Sequence, residues 1–138
     1  MRKPKLPIVA VIFGSETDRG VMNEAVEVLV EAKVPHEVLM MSAHRNPEQV
    51  ADFAKGAREA GLKIIIAGAG LAAALPGVIA SYTDLPVIGV PLATGPLNGM
   101  DAMMSIIQMP KGVPVATVGI NNAKNGALLA LRILRIKK

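Results

Sequence analysis

The sequence predicts an α/β fold: a doubly wound, mainly parallel five-stranded sheet with helices on both faces. Three observations predict it. Five short apolar runs are rich in β-branched residues and continuous rather than alternating, which is how strands read when both faces are covered. Stretches with helical spacing of apolar residues separate these runs. Parallel strands joined by right-handed crossovers leave few topologies, of which the doubly wound sheet is the natural one.

The first strand is "PIVAVIF", residues 7–13. Residues 18–33 follow as a helix, with Val21, Ala25, Val28, Leu29 and Ala32 on one side. "HEVLMM" (36–41) is the second strand; His36 opens it directly after Pro35 and reads as structural. A helix over 47–60 gathers Val50, Phe53, Ala54 and Ala57 on one face. Its start is marked by Asn46 as N-cap, Pro47 at the first helical position and Gln49 placed to reach back as in a capping box. "KIIIAG" (63–68), "PVIGVP" (86–91) and "VPVATVGI" (113–120) are the remaining strands. Helices are expected over 71–82, 98–109 and 122–136, the middle one with a Met-rich face suited to core or subunit contact.

At 138 residues the chain suits one domain, 1–138, with basic tails at 1–6 and 136–138. There is no cysteine, which excludes disulfides, thiolate nucleophiles and Cys-ligated metal sites. That usage suits a reducing compartment, and a cytoplasmic location is expected. The N-terminal basic residues and apolar run resemble a leader, but the run is short, Pro-interrupted and followed by "GSETD", so it reads as a strand. No stretch is apolar enough over sufficient length to span a membrane.

The net charge of +4 is concentrated at the ends. Residues 6–131 carry eight basic and eleven acidic side chains, and the chain has two Phe, one Tyr and no Trp. A nucleic-acid binder needs a basic face and stacking aromatics, so no nucleic-acid partner is expected. Apolar residues make up 51% of the chain and charged ones 19%, an imbalance that points to a homo-oligomer burying a further apolar face.

In doubly wound sheets, ligands bind beyond the carboxyl ends of the strands. Four loops follow strands there: "GSETD", "SAHRN", "GAGLAA" and "LATGPLNG". In "SAHRN", His44 brings the residue type most often used to carry protons, and Arg45 offers a fork of donors for phosphate or carboxylate. An ordinary surface turn is the alternative; the rim position is what argues for chemistry. In "GSETD", Gly14 permits a tight turn, and Ser15 and Thr17 offer hydroxyls near outward-pointing amides. Asp18 either accepts hydrogen bonds from sugar hydroxyls or caps the helix. Gly68 and Gly70 allow close approach of a planar ligand, or tight helix–strand packing.

Taken in order, "GSETD", "SAHRNP", "AGAGLAAALPG", "LNGMDAMMSIIQMP" and "PVATVGINNAKNGALLA" closely resemble the carboxyaminoimidazole ribonucleotide mutase family, the class I catalytic subunits of phosphoribosylaminoimidazole carboxylase. The resemblance runs from about residue 7 to residue 134. It implies a flavodoxin-like three-layer α/β/α sandwich, a homo-octamer, a small ribonucleotide substrate, and neither metal nor organic cofactor. The implied reaction of purine biosynthesis moves a carboxylate from the exocyclic nitrogen to a ring carbon, with CO2 leaving and being recaptured in a closed pocket. The resemblance makes His44 the proton shuttle and assigns phosphate and ribose contacts to Gly14, Ser15, Asp18 and Arg45. Ser42, Ala43, Ala67, Gly68 and Ala69 would line the base.

The chain departs from the family pattern at four places. Ala74 replaces a histidine, Arg19 stands where a Trp is common, and Ala93–Thr94 replaces a Gln-Ser pair or similar. The family's C-terminal helical extension has no counterpart after Arg135. Ala74 keeps two other readings open: a carboxylase using free CO2 and aminoimidazole ribonucleotide, or a nucleotide-binding relative with little or no catalysis.

Overall fold

A computed structural model describes residues 5–136. The strands are β1 (Val9–Phe13), β2 (His36–Met40), β3 (Ile64–Gly70), β4 (Val87–Leu92) and β5 (Ala116–Thr117). The helices are α1 (Arg19–Glu31), α2 (Pro47–Gly56), α3 (Leu75–Tyr82), α4 (Met100–Ile107) and α5 (Ala123–Leu134), with a 3-10 turn at Glu16–Asp18 before α1. All five strands pair in parallel in the order β2-β1-β3-β4-β5. The chain therefore winds outward in both directions from β1, and the order reverses between β1 and β3, where a crevice opens at the carboxyl ends.

Two apolar layers sandwich the sheet. On one face Val9, Val11, Phe13, Ile64, Ile66, Ile88 and Val90 meet Met22, Ala25 and Leu29 of α1 and Ala123, Ala127, Ala130 and Leu131 of α5. On the other, Ala10, Ile12, Ile65, Ala67 and Val87 meet Val50 and Ala54 of α2 and Leu75 and Ile79 of α3. Ala102 and Ile106 of α4 add a smaller cluster with Ala73. Gly126 lets α5 lie close to the sheet: a Cβ there would stand 3.2 Å from Val90 Cγ2 and 3.4 Å from Ile66 Cγ2. Each fully buried Ile or Leu contributes about 1.5–3 kcal/mol. The pairs Arg19–Glu16 and Arg58–Asp84 are exposed and screened by solvent, so packing holds the fold.

Several expected boundaries are corrected. The fifth strand is two residues long rather than spanning 113–120, because it is an edge strand paired only with β4 through Ile88 and Gly89. β3 runs two residues beyond Gly68, held by pairing of Ala69 and Gly70 with Pro91 and Leu92. The helix expected from residue 71 starts at Leu75, since Leu71 takes a positive φ of 56° and bends residues 71–74 into a turn. Likewise α4 begins at Met100, after Asn98 (φ 52°) and Gly99 (φ 89°). α2 ends at Gly56, and 57–61 are turns. In α1 the fully buried residues are Met22, Ala25 and Leu29, with Val21, Val28 and Ala32 only partly buried. β2 is half-exposed as the other edge. Of the expected basic tails, residues 1–4 and 137–138 lie outside the described residues, and Lys5, Leu6 and Ile136 are exposed.

Candidate active site

The four strand-end loops meet in one cleft of about 500 Å³. Gly14, Ser15, Thr17 and Asp18 line it from the β1 end, and Ser42, Ala43, His44 and Arg45 from the β2 end. Ala69 to Leu75 and Thr94 close it from the β3 and β4 ends. The register explains this convergence: Phe13 is level with Met40 on one side and with Gly68 on the other, so the loops leave the sheet at one edge.

The "SAHRN" loop is built as a small hydrogen-bonded knot. Ser42 Oγ accepts the backbone N–H groups of His44 (3.3 Å) and Arg45 (3.2 Å). The Ser42 N–H donates to Asn46 Oδ1 (3.0 Å), and the Asn46 N–H donates to the Ser42 carbonyl (2.7 Å). The expected cap is thereby corrected: the Asn46 side chain is engaged with Ser42 and makes no capping bond to α2, and its N–H is not left for Gln49. Pro47 does open the helix. With the backbone pinned, the exposed His44 and Arg45 side chains have no hydrogen-bond or ion-pair partner among the described residues. His36 differs: its Nδ1 lies 2.8 Å from the Val34 carbonyl, a local structural bond.

At the β1 end, Ser15 caps the 3-10 turn. Its Oγ accepts the Thr17 N–H at 3.4 Å and lies 3.0 Å from Thr17 Oγ1. The Asp18 N–H donates to the Ser15 carbonyl at 3.0 Å. Asp18 is the buried charged residue of the described chain, and its side chain makes no capping bond to α1. Burial raises its carboxyl above the ordinary value, and a backbone hydrogen bond from Ser15 partly opposes this. A carboxylate held this way gains from any ligand hydroxyl that donates to it.

The opposite wall is apolar. Leu71 to Leu75 present methyl and methylene groups, including Ala74. Gly70 is required by close approach of the β4 loop, because a Cβ there would stand 2.5 Å from Thr94 Oγ1. That loop is anchored in turn by Asn121, whose Oδ1 accepts the Ala93 N–H at 2.8 Å.

Of the residues expected at the site, Gly14, Ser15, Asp18, Ser42, Ala43, His44, Arg45 and Ala69 line the cleft. Ala67 and Gly68 do not. They are buried within β3, which extends to Gly70 before the cleft begins, and a Cβ on Gly68 would collide with the Met22 side chain. Gly68 thus serves packing. Thr17, whose hydroxyl is expected of the "GSETD" loop, also lines the cleft, and Thr94 is added from a loop already marked by its place after a strand.

A parallel, doubly wound sheet with a half-polar, half-apolar cleft at its carboxyl edge defines an α/β protein with a small-molecule site at its topological switch point. The AIR carboxylase family model matches residues 8–138, and the chain belongs to that family. It is 58% identical over 135 residues to the N5-carboxyaminoimidazole ribonucleotide mutase of Pyrococcus horikoshii, covering 98% of this chain and 76% of that protein. The protein of the same name from Aquifex aeolicus is 60% identical over 131 residues, covering 95% and 78%. The crystal structure of Treponema denticola PurE superposes with a TM-score of 0.84 at 28% identity, covering 96% of this chain and 82% of that one.

Proposed function

We propose that the protein is an N5-carboxyaminoimidazole ribonucleotide mutase of purine biosynthesis, an isomerase acting through one 1–138 domain. The observation that carries this reading is the convergence of His44, Arg45, Ser15 and Asp18 on one cleft, in a chain 58–60% identical to proteins of that name. Each group has a chemical task. Arg45 and the Ser15–Thr17 hydroxyls take the substrate phosphate, and Asp18 takes ribose hydroxyls. The Ser42–Ala43 main chain, Ala69 and the methyl-lined wall hold the heterocycle.

His44 then acts as the proton carrier. It gives a proton to the exocyclic nitrogen as the C–N bond breaks and CO2 departs. The ring carbon bonds to the retained CO2 and returns its proton to His44, so the isomerisation is proton-neutral. Containment of CO2 falls to the cleft walls with the nucleotide seated between them. The reading uses no metal or organic cofactor. Among the described residues, no group of three or more His, Cys, Asp or Glu is arranged to hold a metal ion.

We further propose a homo-oligomer, octameric by family resemblance. Leu97, Met100, Met104 and Ile107 expose an apolar stripe along and just before α4, and a second copy of the chain covers it. No helix of the described residues is long and apolar enough to cross a membrane. A cytoplasmic enzyme without nucleic-acid or membrane partners is the consistent placement.

A second reading, direct carboxylation of aminoimidazole ribonucleotide by CO2, is favoured by the family description and by Ala74 in the cleft wall. Assays with each donor decide between them. The mutase reading expects turnover of the carboxyamino ribonucleotide without added bicarbonate, and activity that tracks bicarbonate while ignoring that substrate would overturn it. His44→Asn is expected to lose about a hundredfold or more of the rate.

A further inference from the structure

We infer that Arg19 is a positioning residue for the "GSETD" arm of the cleft, a brace from the end of β1 to the start of α1. The guanidinium grips Glu16 with two bonds, Nε to Oε1 at 2.7 Å and Nη2 to Oε2 at 3.0 Å. The same group lies 5.1 Å from the centroid of the Phe13 ring. Phe13 is a fully buried strand residue, Glu16 opens the 3-10 turn, and Arg19 is the first residue of α1. The three contacts therefore span the segment that brings Gly14, Ser15, Thr17 and Asp18 to the cleft.

Arg19 does not line the cleft and its charge is matched by Glu16, whereas Arg45 lines the cleft with no partner among the described residues. The two arginines thus divide the work: Arg45 meets the ligand, and Arg19 acts through Glu16 on the turn. An exposed ion pair alone is weak. A planar fork that binds both carboxylate oxygens and also stacks on an aromatic is the arrangement that lysine cannot reproduce.

The inference rests on the ribonucleotide reading for its kinetic arm only. The side chains of Arg19 and Glu16 are 47% and 68% exposed, so Arg19→Ala and Glu16→Gln should fold normally. The structural readout is amide hydrogen exchange at Thr17, Asp18 and Arg19, whose N–H groups hold the turn. Exchange there is expected to quicken severalfold in either variant and in Arg19→Lys, with the double variant no faster than the singles. In the kinetic arm, each raises KM for the carboxyamino ribonucleotide about three- to tenfold and leaves kcat within about twofold. Unchanged exchange would overturn the brace. So would Glu16→Gln matching wild type while Arg19→Ala weakens binding, which would make Arg19 a direct phosphate contact. An inactive wild type would strike the functional reading instead, and the exchange result would still decide the brace.

Discussion

The Ser42 hydroxyl accepts the backbone N–H of Arg45 at 3.2 Å, and the same oxygen takes the His44 N–H at 3.3 Å. One side chain thus fixes the backbone from which both the proposed proton carrier and the proposed phosphate ligand project. Each neutral hydrogen bond contributes about 0.5–1.5 kcal/mol. Ser42→Ala frees two amides at an exposed turn without touching the core. We expect about a tenfold loss in kcat/KM with a melting temperature close to wild type, read by steady-state kinetics beside a thermal melt.

Asp18 makes a prediction about pH. Burial raises its carboxyl above the unfolded-state value. The folded state then binds the proton more tightly, so ionisation costs stability. That cost is absent below the unfolded value, grows as pH rises through the interval up to the folded value, and is constant above it. Asp18→Asn removes the cost. The variant should melt at or above wild type at pH 7, and the gap should narrow as the pH falls towards about 4. Ribonucleotide affinity, measured by calorimetry, should fall about tenfold because Asn cannot match a carboxylate as an acceptor.

Gly89, in the middle of β4, tests the packing of α4. A Cβ there would stand 2.5 Å from Ile106 Cγ2, 3.2 Å from Val115 Cγ1 and 3.4 Å from Pro76 Cβ. Ile106 is fully buried and has little room to yield. Gly89→Ala should destabilise by about 1–3 kcal/mol in urea titration, with the unfolding slope unchanged.

Met104 is 54% exposed on the α4 stripe. Met104→Glu places a charge where a second copy is proposed to sit. Sedimentation should show a smaller species than wild type, with unchanged secondary structure. A wild type and variant of equal mass would remove the stripe from the interface.

Much of this architecture is legible in the sequence for a physical reason. Strands buried on both faces must be continuously apolar, so "PIVAVIF", "KIIIAG" and "PVIGVP" announce themselves. The strand-end rule then locates the cleft before any geometry is known, and eight of the ten expected site residues line it. What escapes the sequence is tertiary. "VPVATVGI" is as apolar as the central "PVIGVP", yet at the sheet edge only Ala116 and Thr117 pair. The Asn46 side chain could serve either the helix or the loop, and only the fold of Ser42 back on it decides. Ala67 and Gly68 fall inside β3 because its pairing with β4 continues to Gly70. The place of Thr94 after a strand marks its loop but not the residue, which is brought to the cleft by the close approach to Gly70 and by the Asn121 anchor of Ala93.

The most direct test of the central claim is a crystal structure of the protein with aminoimidazole ribonucleotide bound. We expect the phosphate at Arg45 and Ser15, the ribose at Asp18, and the heterocycle between the His44 imidazole and the wall formed by Leu71 to Ala74, within hydrogen-bonding reach of His44. A nucleotide seated in the same cleft with its ring turned away from His44, or bound elsewhere on the molecule, would contradict the account.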